Sequence, residues 1–204
     1  MSGGIELVLF DIGGVLGSNG WDREQRTAAV EHFGLDPEDF QYRHEEMVGA
    51  LESGDISLDE YLNVTVFSVP RSFGSDEFKA FMFAQSEPWP DSIAIARELA
   101  RAGLVHLGTL NNESEALNVH RIATFALCEI FPVFYSSCWL GVRKPTRTIY
   151  TRVLGMTQVE PRRALFIDDR EQNLNPAAAL GMHTIRFTSA DHLRDDLRAF
   201  GLPV

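Results

Sequence analysis

Five short apolar runs, most of them closing on a polar residue, constrain this chain more than any other feature. Residues 5–10 (IELVLF) end at Asp11, 104–110 (LVHLGTL) at Asn111, 131–135 (FPVFY) at Ser136 and 164–167 (ALFI) at Asp168-Asp169. A fifth run, 183–187 (HTIRF), follows Gly181-Met182. Their length suits strands, and the near-continuous ones suit strands covered on both faces. Helical patterns alternate with them. Asp91 is expected to cap a helix running through Ala102, with Gly103 as its stop. Residues 113–127 carry a second pattern. Pro145 is expected to open a third through Leu154, stopped by Gly155, and Asn175-Pro176 a fourth that ends at Gly181. Residues 189–200 close the chain. Such alternation predicts an α/β fold, a doubly wound parallel sheet with helices on both faces.

One stretch breaks the alternation. Residues 18–86 hold helical patterns and no clear strand. The first spans 22–33 and stops at Gly34. The second opens at Asp36-Pro37 and runs toward Leu51. The third begins at the capping box Ser57-Leu58-Asp59-Glu60, and Phe78, Phe81 and Met82 mark a fourth. The predicted organisation is a core of residues 1–17 and 87–204 with a helical insert of 18–86 after the first strand.

Charge narrows the function. Lys and Arg total 18 against 29 Asp and Glu, a net charge of −11. Nucleic acid and anionic membrane surfaces are thereby disfavoured as partners. No apolar run approaches the ~18 residues of a membrane span. Met1 to Gly4 lacks a basic start and an apolar stretch, so a cytoplasmic location is expected. Cys128 and Cys138 form no metal-binding spacing and read as reduced, partly buried thiols.

In open α/β sheets ligands bind beyond the carboxyl ends of the strands. The candidates are therefore Asp11 after the first strand, Thr109, Asn111 and Asn112 at the second, Lys144 after the third, and Asp168 and Asp169 after the fourth. Carboxylates converging on one edge repel one another unless a cation sits among them. Mg²⁺ fits, because it takes a few carboxylate oxygens and keeps room for a phosphate oxygen. Lys144 adds a point charge for the same phosphate. Gly13-Gly14 permits a tight loop and close approach of backbone to an anion. Asp11 then becomes a candidate nucleophile toward phosphorus.

Phe10-Asp11-Ile12-Gly13-Gly14-Val15-Leu16, Arg143-Lys144-Pro145 and Phe166-Ile167-Asp168-Asp169-x-x-x-Asn173 resemble the haloacid dehalogenase (HAD) superfamily. The resemblance covers essentially the whole chain. Its nearest branch holds sugar-phosphate phosphatases and the phosphatase domain of soluble epoxide hydrolases. It implies a Rossmann-like core with a helical cap and Mg²⁺-dependent hydrolysis of a small phosphorylated metabolite through an aspartyl-phosphate. It implies Asp11 as nucleophile and metal ligand, the Gly13 carbonyl, Asp168 and Asp169 as further ligands, and Lys144 on the phosphoryl group. Asn111 would act beside them, Asn112 and Gly14 would contact substrate, and Asn173 would support the acidic loop. A monomer or homodimer is expected.

Two positions depart from the family pattern. Gly13 stands where most of these phosphatases carry a second Asp as general acid/base, a group worth ~10²–10⁴ in rate. Leu110 stands where a Ser or Thr usually precedes the Asn. These departures keep open a catalytically impaired binding or regulatory protein. A haloacid dehalogenase is the lesser alternative, opposed by the Asp168–Asp169 pair. In the insert, Arg43, His44 and Met47 are read mainly as a solvated face and Trp21 as packing, with a role at the substrate mouth as the alternative.

Overall fold

The computed structural model describes residues 4–204. Met1, Ser2 and Gly3, on which the reading of the N-terminus largely rests, lie outside the described residues. The chain opens with β1 (Leu7–Phe10). Four helices follow: α1 (Arg23–Phe33), α2 (Pro37–Ser53), α3 (Leu58–Thr65) and α4 (Ser75–Ala84). Then come α5 (Pro90–Ala102), β2 (His106–Asn111), α6 (Glu115–Thr124), β3 (Val133–Ser136), α7 (Ser137–Leu140), α8 (Arg147–Thr157), β4 (Ala164–Asp168), α9 (Glu171–Ala179), β5 (His183–Arg186) and α10 (Ala190–Ala199).

The five strands are parallel, in the order β3-β2-β1-β4-β5. The chain winds from β1 toward β3 on one side, then crosses to β4 and β5 on the other. The winding therefore reverses between β1 and β4, where a crevice opens at their carboxyl ends. Strand alternation divides the core in two. Val8, Phe10, Leu165 and Ile167 pack with Ile93 and Leu99 of α5 and with Leu193 and Leu197 of α10. Leu7, Leu9 and Phe166 pack with Ile149, Tyr150 and Val153 of α8 and with Leu174 and Ala177 of α9.

The inserted helices form a cap with an apolar centre of its own, including Phe40, Leu51, Tyr61, Leu62, Phe78 and Met82. Its helix ends follow local chemistry. Asp22 makes a reciprocal capping box with Gln25, Asp36 accepts from the Glu38 and Asp39 amides, and Ser57 pairs with Glu60 as the sequence foretold. Gly34 and Gly54 end α1 and α2 in left-handed conformations.

Several boundaries differ from expectation. Trp89, not Asp91, caps α5, because Pro90 takes the first helical position, where its missing N–H costs nothing. The helix expected at Pro145 starts at Arg147 behind Thr146, and it runs through Gly155 to Thr157, stopped by Gln158 at φ 57°. The pattern over 113–127 yields a helix only from Glu115 to Thr124, which leaves Glu113 in the strand-end loop. The helix expected to begin at Asn175-Pro176 begins at Glu171 and keeps Pro176 inside. Pro176 forfeits one intrahelical bond there, and the earlier start brings Asn173 back over the end of β4. The short α7 had no counterpart in the sequence reading. Cys128 is exposed rather than partly buried, and both cysteines are free. No helix among the described residues is long and apolar enough to cross a membrane.

Candidate active site

The reversal of winding brings the ends of β1 and β4 side by side. Asp11 directly follows β1, and its backbone N–H donates to the Ile167 carbonyl at 2.9 Å. Lys144 enters from the loop after α7. Its Nζ lies 2.9 Å from Asp11 Oδ2 and 2.7 Å from Asp168 Oδ2, and all three side chains are buried. One ammonium thus joins two carboxylates. Asp169 completes the cluster: oxygens of Asp11, Asp168 and Asp169 lie within 4.8 Å of one another.

Each carboxylate is held differently. Asp168 is saturated, accepting from Lys144, from the Asn173 amide at 3.0 Å on both oxygens and from the Arg170 backbone at 2.8 Å. Asp11 Oδ1 accepts the Ile12 N–H at 2.8 Å. Asp169 Oδ1 is buried and has no hydrogen-bond partner. An orphaned buried carboxylate oxygen is costly, and it marks the side of the cluster where a cation fits. Burial pushes the Asp11 carboxyl up to about 8 against the pull of Lys144, with Asp168 adding to the rise. Burial, then Asp168, raises Asp169 as well. Burial works against the Lys144 ammonium, yet Asp11 and Asp168 together hold it above the ordinary lysine range. Three carboxylates against one lysine leave excess negative charge, the condition a hard divalent cation relieves.

A cavity of about 360 Å³ lies over this cluster, between the sheet edge and the cap. Asp11, Gly13, Asn112, Lys144 and Asn173 line it from the core; Trp21, Arg26, His44 and Glu52 line it from the cap side. Cap and core are tied across it. Arg143 bonds Glu52 at 2.8 Å, Ser137 Oγ donates to the Glu52 carbonyl at 2.6 Å, and Arg170 pairs with Asp22.

Two expected site residues sit elsewhere. Asn111 does not line the cavity. Its amide donates to Asn118 Oδ1 at 2.9 Å and its carbonyl accepts from Ser136 Oγ at 2.9 Å, so its hydrogen-bonding capacity serves the joint between β2, β3 and α6. Gly14 does not line the cavity either. A Cβ on it would lie 2.5 Å from Asp169 Cγ, so its bareness makes room for that carboxylate. Asn112 clamps the lysine loop, donating to the Lys144 carbonyl and accepting its N–H, each at 2.8 Å. Thr109 is fully buried on β2, with its hydroxyl unpartnered. In the cap, Arg43 bonds Asp39 at the surface and Met47 packs in the cap interior. His44 is buried and lines the cavity, against the reading of a solvated face, whereas Trp21 packs on Phe40 and Phe78 as expected and lines the cavity as well.

Sequence reasoning missed Glu113, Arg121 and Arg26. Glu113 is buried beside Arg121, whose Nη1 lies 3.3 Å from Glu113 Oε2. Burial pushes the Glu113 carboxyl up to about 7, although Arg121 pulls it down. A Cβ at Gly13 would lie 3.6 Å from Arg121 Nη1, so this pair borders the space that a larger residue at 13 would use. The available signal was an acidic residue at the carboxyl end of a strand. Arg26 lay within a helical pattern and offered none.

The fold and this cluster define a class: α/β hydrolases with a strand-end aspartate beneath an inserted helical cap. The family model for haloacid dehalogenase-like hydrolases matches residues 5–181, and the chain belongs to that family. Among curated relatives, flavin mononucleotide hydrolase 1 of Arabidopsis thaliana is 41% identical over 70 residues, 34% of this chain and 29% of that protein. Bifunctional epoxide hydrolase 2 of Rattus norvegicus is 32% identical over 122 residues, 58% of this chain and 22% of that protein. The chain thus matches less than a third of either relative's length. A HAD family enzyme of Bacteroides thetaiotaomicron has the same fold, with a TM-score of 0.81 and 21% identity, covering 94% of this chain and 99% of that one. That enzyme has also been solved with magnesium and inorganic phosphate.

Proposed function

We propose that this protein is a Mg²⁺-dependent phosphatase acting on a small phosphorylated metabolite through an aspartyl-phosphate on Asp11. The carrying observation is the pinning of Asp11 between Lys144 and the acidic pair at the floor of the cavity beneath the cap, with Asp169 Oδ1 left unpartnered. Asp11, Asp169 and the Gly13 carbonyl would hold the ion, and Asp168, already saturated, would act through water. When bound, Mg²⁺ supplies positive charge that offsets the carboxylates and draws the phosphate oxygens.

Lys144 holds a phosphoryl oxygen, orients Asp11 for attack on phosphorus and favours its ionised form against the pull of burial, a task the bound cation would share. Asn112 fixes the lysine loop, and Asn173 keeps Asp168 turned toward Lys144. Gly13 supplies no proton for the departing alcohol. Glu113, with a carboxyl near neutrality at the same wall, is the group suited to give one. The cap excludes bulk water while the ester is cleaved.

The bacterial structure with magnesium and phosphate supports this reading by analogy of fold. The relatives named for flavin mononucleotide and epoxide hydrolysis leave the substrate open. The test is a panel of sugar phosphates, nucleotides and aryl phosphates, assayed with Mg²⁺ and with EDTA. Phosphate release from at least one class should require Mg²⁺ and vanish in Asp11→Asn. Equal turnover by wild type and mutant sinks the nucleophile. A flat panel supports the rival reading of a binding protein, which rests on Gly13 and Leu110. EDTA-insensitive halide release would support a dehalogenase.

A further inference from the structure

Five cationic side chains line the cavity: Arg26, Arg121, Arg143, Lys144 and Arg170. Four have carboxylate partners. Arg121 has Glu113, Arg143 has Glu52, Lys144 has Asp11 and Asp168, and Arg170 has Asp22. Arg26 is the exception: no carboxylate among the described residues lies within 4.0 Å of it. It is nonetheless buried, only 9% exposed. Its Nη1 donates to the Trp21 carbonyl at 2.7 Å and its Nε to Gln41 Oε1 at 3.4 Å; Nη2 has no hydrogen-bond partner among the described residues and is open to the cavity that Arg26 lines.

The acids nearest in charge to Arg26 are committed elsewhere. Asp22 caps α1 and pairs with Arg170, Glu52 pairs with Arg143, and Glu45 accepts from the Gln41 amide at 2.8 Å. A guanidinium stays charged at any ordinary pH. A buried charge of this kind calls for a counter-charge.

Beside it stands His44, 5% exposed, with Nδ1 2.8 Å from the Tyr61 hydroxyl. That hydroxyl accepts the Trp21 indole N–H at 3.0 Å. With the hydroxyl's own hydrogen given to His44 Nδ1, the arrangement that uses both its donor and its acceptor capacity, the ring hydrogen sits on Nε2. Burial and the neighbouring Arg26 hold the imidazole down to about 4, so it is neutral. The cap thus presents a neutral imidazole next to a cation that has no carboxylate in contact and only the more distant charges of Asp22, Glu52 and Glu45 to balance it.

We propose that Arg26 and His44 form a cap subsite for a second oxyanion on the leaving-group end of the substrate. The substrate class is then a phosphate monoester whose alcohol portion carries a carboxylate or another phosphate. This rests on the reading that Asp11 and Lys144 take the phosphoryl end. Arg26 supplies the charge and His44 a directed hydrogen bond. Neutral sugar hydroxyls satisfy the second and leave the first unmet.

Phosphonates test the subsite without turnover, because their carbon–phosphorus bond is not cleaved. Binding to the Mg²⁺-loaded protein is measured by calorimetry for ω-phosphonocarboxylates of increasing length, their bisphosphonate analogues, and alkyl and hydroxyalkyl phosphonates of matched length. Wild type should bind the best doubly anionic ligand about 10-fold tighter than its alkyl and hydroxyalkyl counterparts. In Arg26→Gln that preference should fall below about 2-fold, and Arg26→Lys should keep part of it. The carboxylate and phosphonate arms tell which oxyanion fits. Equal binding of charged and uncharged tails, a preference for the hydroxyl series, a preference that survives in folded Arg26→Gln, or no binding at all overturns the subsite. Aryl phosphate hydrolysis separates the two claims. Mg²⁺-dependent turnover without a charged-tail preference removes the subsite alone. A charged-tail preference without turnover of any ester removes the phosphatase reading alone.

Discussion

Gly14→Ala is the sharpest probe of how the metal side of the cluster is built. Gly14 has φ +72°, and an added Cβ would meet Asp169 Cγ at 2.5 Å, Oδ2 at 2.6 Å and Oδ1 at 2.9 Å. The substitution therefore has two separable costs. The left-handed backbone costs an alanine roughly 1–2 kcal/mol, a fall in Tm of about 2–8 °C for a chain of this size. The contacts cannot be tolerated as they stand, so the Asp169 carboxylate must turn away from Asp11. Loss of a well-oriented ligand contact typically costs about 10–100-fold in metal affinity. Gly103→Ala isolates the first cost: Gly103 has φ +64°, ends α5 far from the cluster, and would bring its Cβ within 4 Å of nothing. Both variants should lose similar stability in EDTA, measured by thermal unfolding. Only Gly14→Ala should raise the Mg²⁺ concentration for half-maximal stabilisation, by at least about 10-fold. A Gly14→Ala protein with wild-type Mg²⁺ dependence and a Tm loss equal to that of Gly103→Ala would refute the claim that Gly14 exists to seat Asp169.

Two further substitutions probe buried charge. Lys144→Met keeps an unbranched apolar stem but removes the ammonium that lies 5.3 Å from the Phe166 ring centroid and leaves Asp11 and Asp168 without their cation; urea unfolding in EDTA should show a loss of about 3–5 kcal/mol, and a loss under about 1 kcal/mol would mean the carboxylates are neutralised by other means. Glu113→Gln tests the raised carboxyl. A folded value near 7 against the ordinary 4.5 means the folded state holds a proton that the unfolded state has released, so stability contributed below pH 4.5 is lost as pH rises through 7. At roughly 1.4 kcal/mol per pH unit the loss is about 3 kcal/mol, and the difference in unfolding free energy between wild type and Glu113→Gln should move by that amount between pH 4.5 and 8; parallel profiles would contradict the burial argument. The same variant should slow poor leaving groups more than good ones in the phosphatase assay.

Much of the site was legible because the residues that matter terminate strands. Asp11, Asp168 and Asp169 each end an apolar run, and strand ends of a parallel sheet converge whatever the details of packing. Lys144 was found by its place between β3 and the proline. Asn111 and Asn112 show the limit of this reasoning. Asn111 ends β2 and Asn112 follows it, but neighbouring side chains along an extended chain point to opposite sides, so Asn111 joins Asn118 and Ser136 while Asn112 reaches Lys144. The one-residue register that decides between them is not written in the pattern. Helix starts failed for a similar reason. A proline or acid marks the vicinity of a helix end, but the chain's route off the strand chooses the residue, as it did for α9.

Left to itself, the sequence determined the local matters: five strand segments, the capped helices of the insert, and three carboxylates placed at strand ends by short-range propensity and periodicity, with Lys144 in a loop further on. The tertiary structure alone decided which faces met. Helix α2 carries Arg43, His44 and Met47 within one and a half turns, and periodicity cannot say which of them sees solvent. Packing within the cap put His44 near Arg26, because the apolar face that Phe40 and Leu51 bury in the cap interior fixes the rotation of the whole helix, and the cap's seat at the sheet edge made both line the cavity that Asp11 lines from the core.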